Sequence, residues 1–285
     1  MIRIEKKFKV NKKDFLFFIG PSIKQCCYEV DYDVSSKFNI KYSKKVNNKY
    51  MLNLNSINIE QLYSFGIKNN QIFFDVGEPP NKSFSKSYQS GPLSFEFHID
   101  GNKIITNCGF GHNISPKAEL LSRLTSAQST LTLNDTSVTK FERSKLINKI
   151  FGNSIKSSFK ISKHSFDENR DKIEAEAIHD GYEKEFGCLY KRKILIEKTK
   201  NNLKGLDEII KNKDYKTVNY CLRFHLYPGL TAVKTMSGNS VLIQLSKNKS
   251  LIFTIKDEKI FLEKSIFLGS NKILNNTCVT VSGNL

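Results

Sequence analysis

From about residue 70 onward the chain is interrupted roughly every ten residues, and that rhythm restricts its fold more than any other feature. "TAVKTMSGNSVLIQLSKNKSLIFTIKDEKIFLEKSIFL" shows the pattern: apolar and polar residues alternate, then "MSGNS", "SKNKS" or "KDEK" breaks the run. A period of two puts successive side chains on opposite faces of an extended strand, and such short runs leave no room for a chain of amphipathic helices. The same texture runs through "QIFFDVG" ahead of Pro79-Pro80, then "STLTLND", "SSFKISKHSF", "KIEAEAIHDGY", "LYKRKILIEK", "YCLRFHLYPGL" and "TCVTVSG". Strands joined by tight turns pair antiparallel. Residues 73–285 are therefore expected to be mainly β, a sandwich of large antiparallel sheets rather than a small barrel.

Residues 1–72 have a different texture and predict a small α/β fragment. "DFLFFIGPSI" is an apolar strand closed by Gly20-Pro21, and "CYEVDYDVSSKF" follows it. "YMLNLNSINIEQLYSFGI" predicts a helix from Ser56, with Ser56 as N-cap, Ile59, Leu62, Tyr63 and Phe65 largely on one face, and Gly66 at the C-cap. The apolar run Phe15–Ile19 is too short for the core of a signal peptide. No run of apolar residues in the chain is long enough for a membrane span.

Six cysteines, at 26, 27, 108, 188, 221 and 278, form no CxxC pair, which predicts a reduced and mostly buried set. A net charge of +17 asks for an anionic partner or a solvated basic surface. No zinc knuckle and no aromatic RNA-binding strand signature is present, so an acidic polysaccharide is the better anionic partner, and nucleic acid is not expected.

The stretch with most chemistry is "SYQSGPLSFEFHIDGNKIITNCG", residues 87–109. "LSFEFHI" alternates, "DGN" signals a type I′ turn and "KIITNCG" returns at strand period, which predicts a β-hairpin. Tyr88, Gln89, Ser90, Asn107 and Cys108 gather at its ends. These are amides, hydroxyls and a thiol, with no ready acid, base or metal set.

Read in order, "DVGEPP", "GPLSFEF", "NCG", "RLTSAQSTLTLND", "HDGYEKEFGCLYKRKILI" and "LRFHLYPG" resemble the C-terminal β-sheet domain of the heparinase II/III-like polysaccharide lyases. The resemblance implies β-elimination on an acidic polysaccharide lying between the sheet domain and an (α/α) toroid. It also implies a histidine base, a structural zinc held by His and Asp, and action in the periplasm or cell envelope. The departures fall at the same positions. Gln89 and Gln128 stand where the family motifs carry histidine, and Asn107 stands where they carry a zinc-side Asp. Gln and Asn hydrogen-bond sugars but transfer no proton at neutral pH. No metal site and no cofactor is therefore expected, and lyase activity is expected to be weak or lost; the alternative for this part of the chain is a non-catalytic β-sandwich that binds polyanions. The candidate catalytic residues are Tyr88, Gln89 and His179. The candidate substrate-binding residues are Asn107, Arg123, Gln128, Tyr182, Arg192, Arg223 and His225. The arginines and the two histidines have bland alternatives: a strand-face ion pair for the arginines, a turn histidine bonding backbone for His179, a sheet-face residue for His225.

"FIGPSIKQCCYEV" and "YMLNLNSINIEQLYSFGI" resemble the C-terminal part of the laccase-domain family, whose members are described as purine nucleoside phosphorylases. That family's metal site needs histidines, and residues 1–72 contain none. The two resemblances meet near "GIKNNQIFFDVGEPP" without a flexible linker, the pattern of a fusion or of a misjoined sequence. The toroid is not among these residues, so a separate toroid chain is the partner that would restore the cleft.

Overall fold

A computed structural model describes residues 29–46, 48–54, 57, 71–142, 153–197, 202–213, 215–269 and 272–285. The strand expected at "DFLFFIGPSI", the body of the helix expected from Ser56, and Cys26-Cys27 lie outside these residues. The chain divides into two compact units, Met1–Phe73 with Phe97–Lys103, and Phe74–Glu96 with Ile104–Leu285.

In the first unit, β1 (Glu29–Val30), β2 (Ser43–Val46) and β3 (Lys49–Leu52) form a small antiparallel sheet in the order β1-β3-β2. Val30, Leu52 and Ile57 form its buried centre, with Phe38, Tyr42, Tyr50 and Leu54 packed around them. A cluster of this size buries little apolar area.

The largest sheet runs β16-β17-β12-β6-β5-β4, with β7 also paired to β12. Its strands are β4 (Gln71–Phe74), β5 (Phe95–Ile99), β6 (Asn102–Thr106), β7 (Leu131–Leu133), β12 (Asn219–Leu226), β16 (Phe261–Phe267) and β17 (Leu274–Asn284). β5 and β6 are the expected hairpin. Asp100 and Gly101 have φ of +48° and +85°, the two left-handed residues that a type I′ turn requires. A second sheet, β11-β10-β9-β8, comprises β8 (Ile161–Glu168), β9 (Lys172–Tyr182), β10 (Cys188–Glu197) and β11 (Asn202–Lys211). A third comprises β13 (Thr231–Lys234), β14 (Ser240–Ser246) and β15 (Lys249–Thr254). The pairings among β1–β3, among β8–β11, among β13–β15, of β12 with β6, β7 and β17, and of β16 with β17 are all antiparallel. The expected mainly-β architecture is the one observed.

The alternation does its expected work in β14, where Val241 and Ile243 are fully buried while Leu242 and Gln244 face outward. β11 is the strand that alternation does not announce. "NLKGLDEIIK" is charged and irregular, and it is held as an edge by β10 and by ion pairs such as Lys191–Glu208 at 3.4 Å and Lys204–Glu197 at 3.0 Å.

β12 changes partner along one edge. Tyr220, Cys221 and Leu222 pair with β7, whereas His225 and Leu226 pair with β6. A handover of this kind interrupts the ladder and leaves backbone groups to be satisfied locally. Arg223 N donates to Thr130 O at 3.2 Å, and the Ser129 hydroxyl accepts from His225 N at 3.0 Å while donating to Thr106 O at 2.6 Å. The segment Thr125–Thr130 is thereby fastened across the gap, and it carries Gln128. All four described cysteines are free.

Candidate functional site

The hairpin's inner end, the helix Pro116–Ser122 and the segment Thr125–Ser129 converge on one backbone carbonyl, that of Ser122. The helix begins where its sequence says it should: Ser115 Oγ accepts from Ala118 N at 3.1 Å and Pro116 occupies the first turn. Gln89 Nε2 donates to Ser122 O at 3.4 Å and to Gly109 O at 3.0 Å, and Gln128 Nε2 donates to Ser122 O at 2.9 Å. Both glutamines are buried, and Gln128 Oε1 has no partner. Asn107 Oδ1 accepts from Ser129 N at 2.8 Å. Gln89, Asn107 and Gln128, three of the residues singled out in the sequence, are thus brought together. Their amides serve as backbone donors and acceptors.

His225 lies beside this cluster. Its Nε2 donates to Ser126 O at 3.0 Å, since a carbonyl only accepts. Nδ1 is then the lone-pair nitrogen, 3.0 Å from Ser265 Oγ and 3.4 Å from Cys108 Sγ. Burial pulls the imidazole down to about 4 and pushes the Cys108 thiol up to about 11. A neutral thiol facing a neutral imidazole is a packed polar pair, not a nucleophile with its base.

Tyr88 and Arg123 share a second knot. Arg123, fully buried, donates from Nε to Tyr88 O and from Nη2 to Ser85 O, both at 2.9 Å, with Phe141 4.1 Å from its guanidinium carbon. Burial, with Asp75 nearby, holds the Tyr88 phenol well above its usual range.

The remaining candidates sit against the second sheet. His179 is fully buried among Phe159, Tyr182 and Tyr190, and its Nδ1 accepts from Gly181 N at 3.0 Å. Burial lowers its pKa to about 3, so the ring is neutral. The Tyr182 hydroxyl donates to Leu131 O and Thr136 O at 3.0 and 3.2 Å, and burial raises its pKa. Arg192 donates from Nε to Asp207 Oδ1 at 2.6 Å and from Nη1 to Leu93 O and Ser129 O at 2.8 Å each. Arg223 pairs with Thr132 Oγ1 at 2.5 Å and Asp135 Oδ1 at 3.0 Å. The guanidiniums of Arg123 and Arg192 thus hold the fold together from inside.

The zinc implied by the family resemblance does not fit the residues present. Asn107 Oδ1, Gln128 Nε2 and both His225 nitrogens are engaged in the bonds above. Among the described residues no three His, Cys, Asp or Glu side chains gather as a metal site needs.

Two residues near this cluster escaped sequence reasoning. His112 and Glu119 meet with Nδ1 3.1 Å from Oε2, and the His112 ring stacks on Phe110. The available signal was "GFGHN" after the hairpin, followed by a helix start at "SPKAEL" that places Glu119 seven residues beyond His112.

Comparison with known proteins matches this architecture. The family described as "Heparinase II/III-like, C-terminal" covers residues 54–283. The family described as "Multi-copper polyphenol oxidoreductase laccase" covers residues 1–78. No curated protein matches the chain. Among solved structures, heparan sulfate lyase HepC from Pedobacter heparinus superposes with a TM-score of 0.59 at 16% identity, covering 76% of this chain and 31% of that one. A heparinase III superposes with a TM-score of 0.56 at 17% identity, with 76% and 31% covered. The chain therefore spans about a third of the length of these relatives, and at such identities the likeness is one of fold. No helix among the described residues is long and apolar enough to cross a membrane. With the family match running through every strand of its three larger sheets, the chain belongs to the heparinase II/III-like family through its C-terminal β-sheet domain.

Proposed function

We propose that this chain is the sheet portion of an acidic-polysaccharide lyase, one that binds its polyanion at the hairpin end and turns it over weakly. The observation that carries the reading is the pair Gln89 and Gln128. At the two positions where the family resemblance places histidines, both amides donate to the Ser122 carbonyl. A carboxamide keeps hydrogen bonding and gives up proton transfer. A net charge of +17 favours polyanion binding. Heparan sulfate is the first substrate to try, because the matched HepC is a heparan sulfate lyase. In this reading residues 73–285 form the sheet domain, residues 1–72 are a laccase-domain-like appendage, a separate toroid chain completes the cleft, and the protein works in the periplasm or cell envelope.

The test is retention of the purified chain on immobilised heparin, together with unsaturated-uronate absorbance on heparan sulfate. Retention released by salt, with slow growth of product, is the expected result. Neither retention at low salt nor product would refute the reading. Phosphate-dependent release of base from adenosine or inosine would instead favour a nucleoside phosphorylase function for the laccase-like segment.

A further inference from the structure

The loop Phe110–Ser115, between the hairpin and the helix Pro116–Ser122, contains none of the motif positions, yet it carries an exposed imidazole near the Ser122 carbonyl. His112 Nδ1 lies 3.1 Å from Glu119 Oε2, with side-chain exposures of 44% and 17%. Its ring stacks on Phe110, the planes 5° apart and the centroids 5.7 Å apart. The loop is tied at several points. Gly109 O accepts from Gln89 Nε2, Gly111 N donates to Ser122 Oγ at 3.0 Å, and Ser122 Oγ donates to Glu119 O at 2.8 Å. Gly111 must lack a side chain, because a Cβ there would lie 2.5 Å from the Ala118 carbonyl oxygen. His112 is therefore carried on the same knot of bonds that immobilises the two glutamines.

The bond to Glu119 sets the ring's chemistry. An ionised carboxylate only accepts, so Nδ1 carries the proton and the Nε2 lone pair is left for another partner. A carboxylate hydrogen-bonded to one imidazole nitrogen fixes the tautomer and the orientation of the ring. Stacking on Phe110 restrains the ring plane, and exposure lets solvent and a large substrate reach it. Gln89, Gln128, His179 and His225 each lack at least one of these properties.

We propose that His112 is the proton-accepting catalytic residue of this chain, with Glu119 as its positioning carboxylate, acting on a uronate residue of an acidic polysaccharide. The proposal rests on the lyase reading above. In the step, Nε2 takes the C5 proton, the released electron pair forms the C4=C5 double bond, and the C4–O bond breaks. The leaving oxygen takes a proton from water, and His112 returns its own to solvent, so the elimination balances without an oxidant or reductant.

The test compares the full chain with His112→Ala, His112→Gln and Glu119→Gln on heparan sulfate, measuring product absorbance, heparin retention and the His112 tautomer by long-range proton–nitrogen NMR. His112→Ala and His112→Gln are expected to lower the rate about 100-fold or more with retention unchanged, in line with the usual contribution of a general base. Glu119→Gln is expected to give a smaller loss and to shift the His112 tautomer. Equal rates in wild type and His112→Ala would overturn the proposal, as would an Nε2-protonated His112 in the wild type. A wild type that is retained but forms no product overturns the His112 assignment while leaving polyanion binding intact. A wild type that is neither retained nor active removes both.

Discussion

Asp207→Ala is predicted to be the most destabilising single truncation of a partly exposed side chain in the second sheet. Arg192 has a side-chain exposure of 2%, and Asp207, at 22%, is its partner at 2.6 Å. The guanidinium is surrounded by the rings of Phe95, Tyr190 and Phe224, with centroids 5.2, 5.6 and 5.8 Å away. Burial alone would depress the Arg192 pKa, but Asp207 and Tyr190 override it and the net shift is upward. Removing the carboxylate leaves a buried cation without its counter-charge, facing only the carbonyls of Leu93 and Ser129, and takes the acceptor of the Tyr190 hydroxyl, which costs about 3–5 kcal/mol. Arg192→Met removes the charge but strips a donor from Leu93 O and Ser129 O, at about 1–3 kcal/mol each. The double variant should therefore be about as stable as Arg192→Met alone, giving a coupling energy of about 3 kcal/mol or more. Urea unfolding of the four proteins, followed by far-UV circular dichroism and tyrosine fluorescence, measures it. A loss below about 1 kcal/mol for Asp207→Ala, or additivity within about 0.5 kcal/mol, would refute this account of the buried pair.

Two further outcomes are expected. His179 and His225 are held neutral by burial, down to about 3 and about 4, so the unfolded chain binds their protons first as pH falls. Their contribution is complete above the unfolded value of about 6.5 and is lost progressively toward pH 4, at about 1.4 kcal/mol per pH unit for each ring; equal stabilities at pH 7 and pH 5 by denaturant titration would contradict this. Gly181→Ala would drive a methyl into Val138 and against the His179 ring, and it should destabilise by about 1–3 kcal/mol; a thermal midpoint unchanged from wild type would show that the strand end yields instead.

The period-two alternation and the ten-residue turns were sufficient to establish the antiparallel sheets, because side-chain parity and turn chemistry are local properties that a sequence displays directly. "IDGN" specified its hairpin turn in the same way. β11 was not legible, since an edge strand stabilised by cross-strand ion pairs needs no apolar alternation. The loss of histidine at Gln89 and Gln128 could be read from the sequence, and so could their capacity to hydrogen-bond. That both amides would donate to one carbonyl could not, because Ser122 reaches that position only when the helix Pro116–Ser122 packs beside the hairpin. The arginines reverse the usual expectation for a basic chain: Arg123 and Arg192 are buried and bind backbone carbonyls, a fate set by which strands become neighbours. The pairing of His112 with Glu119 is of the same kind. Sequence determines which residues can take up a proton or donate a hydrogen bond. Only tertiary packing decides which of them meet, which are sealed from water, and which stay exposed.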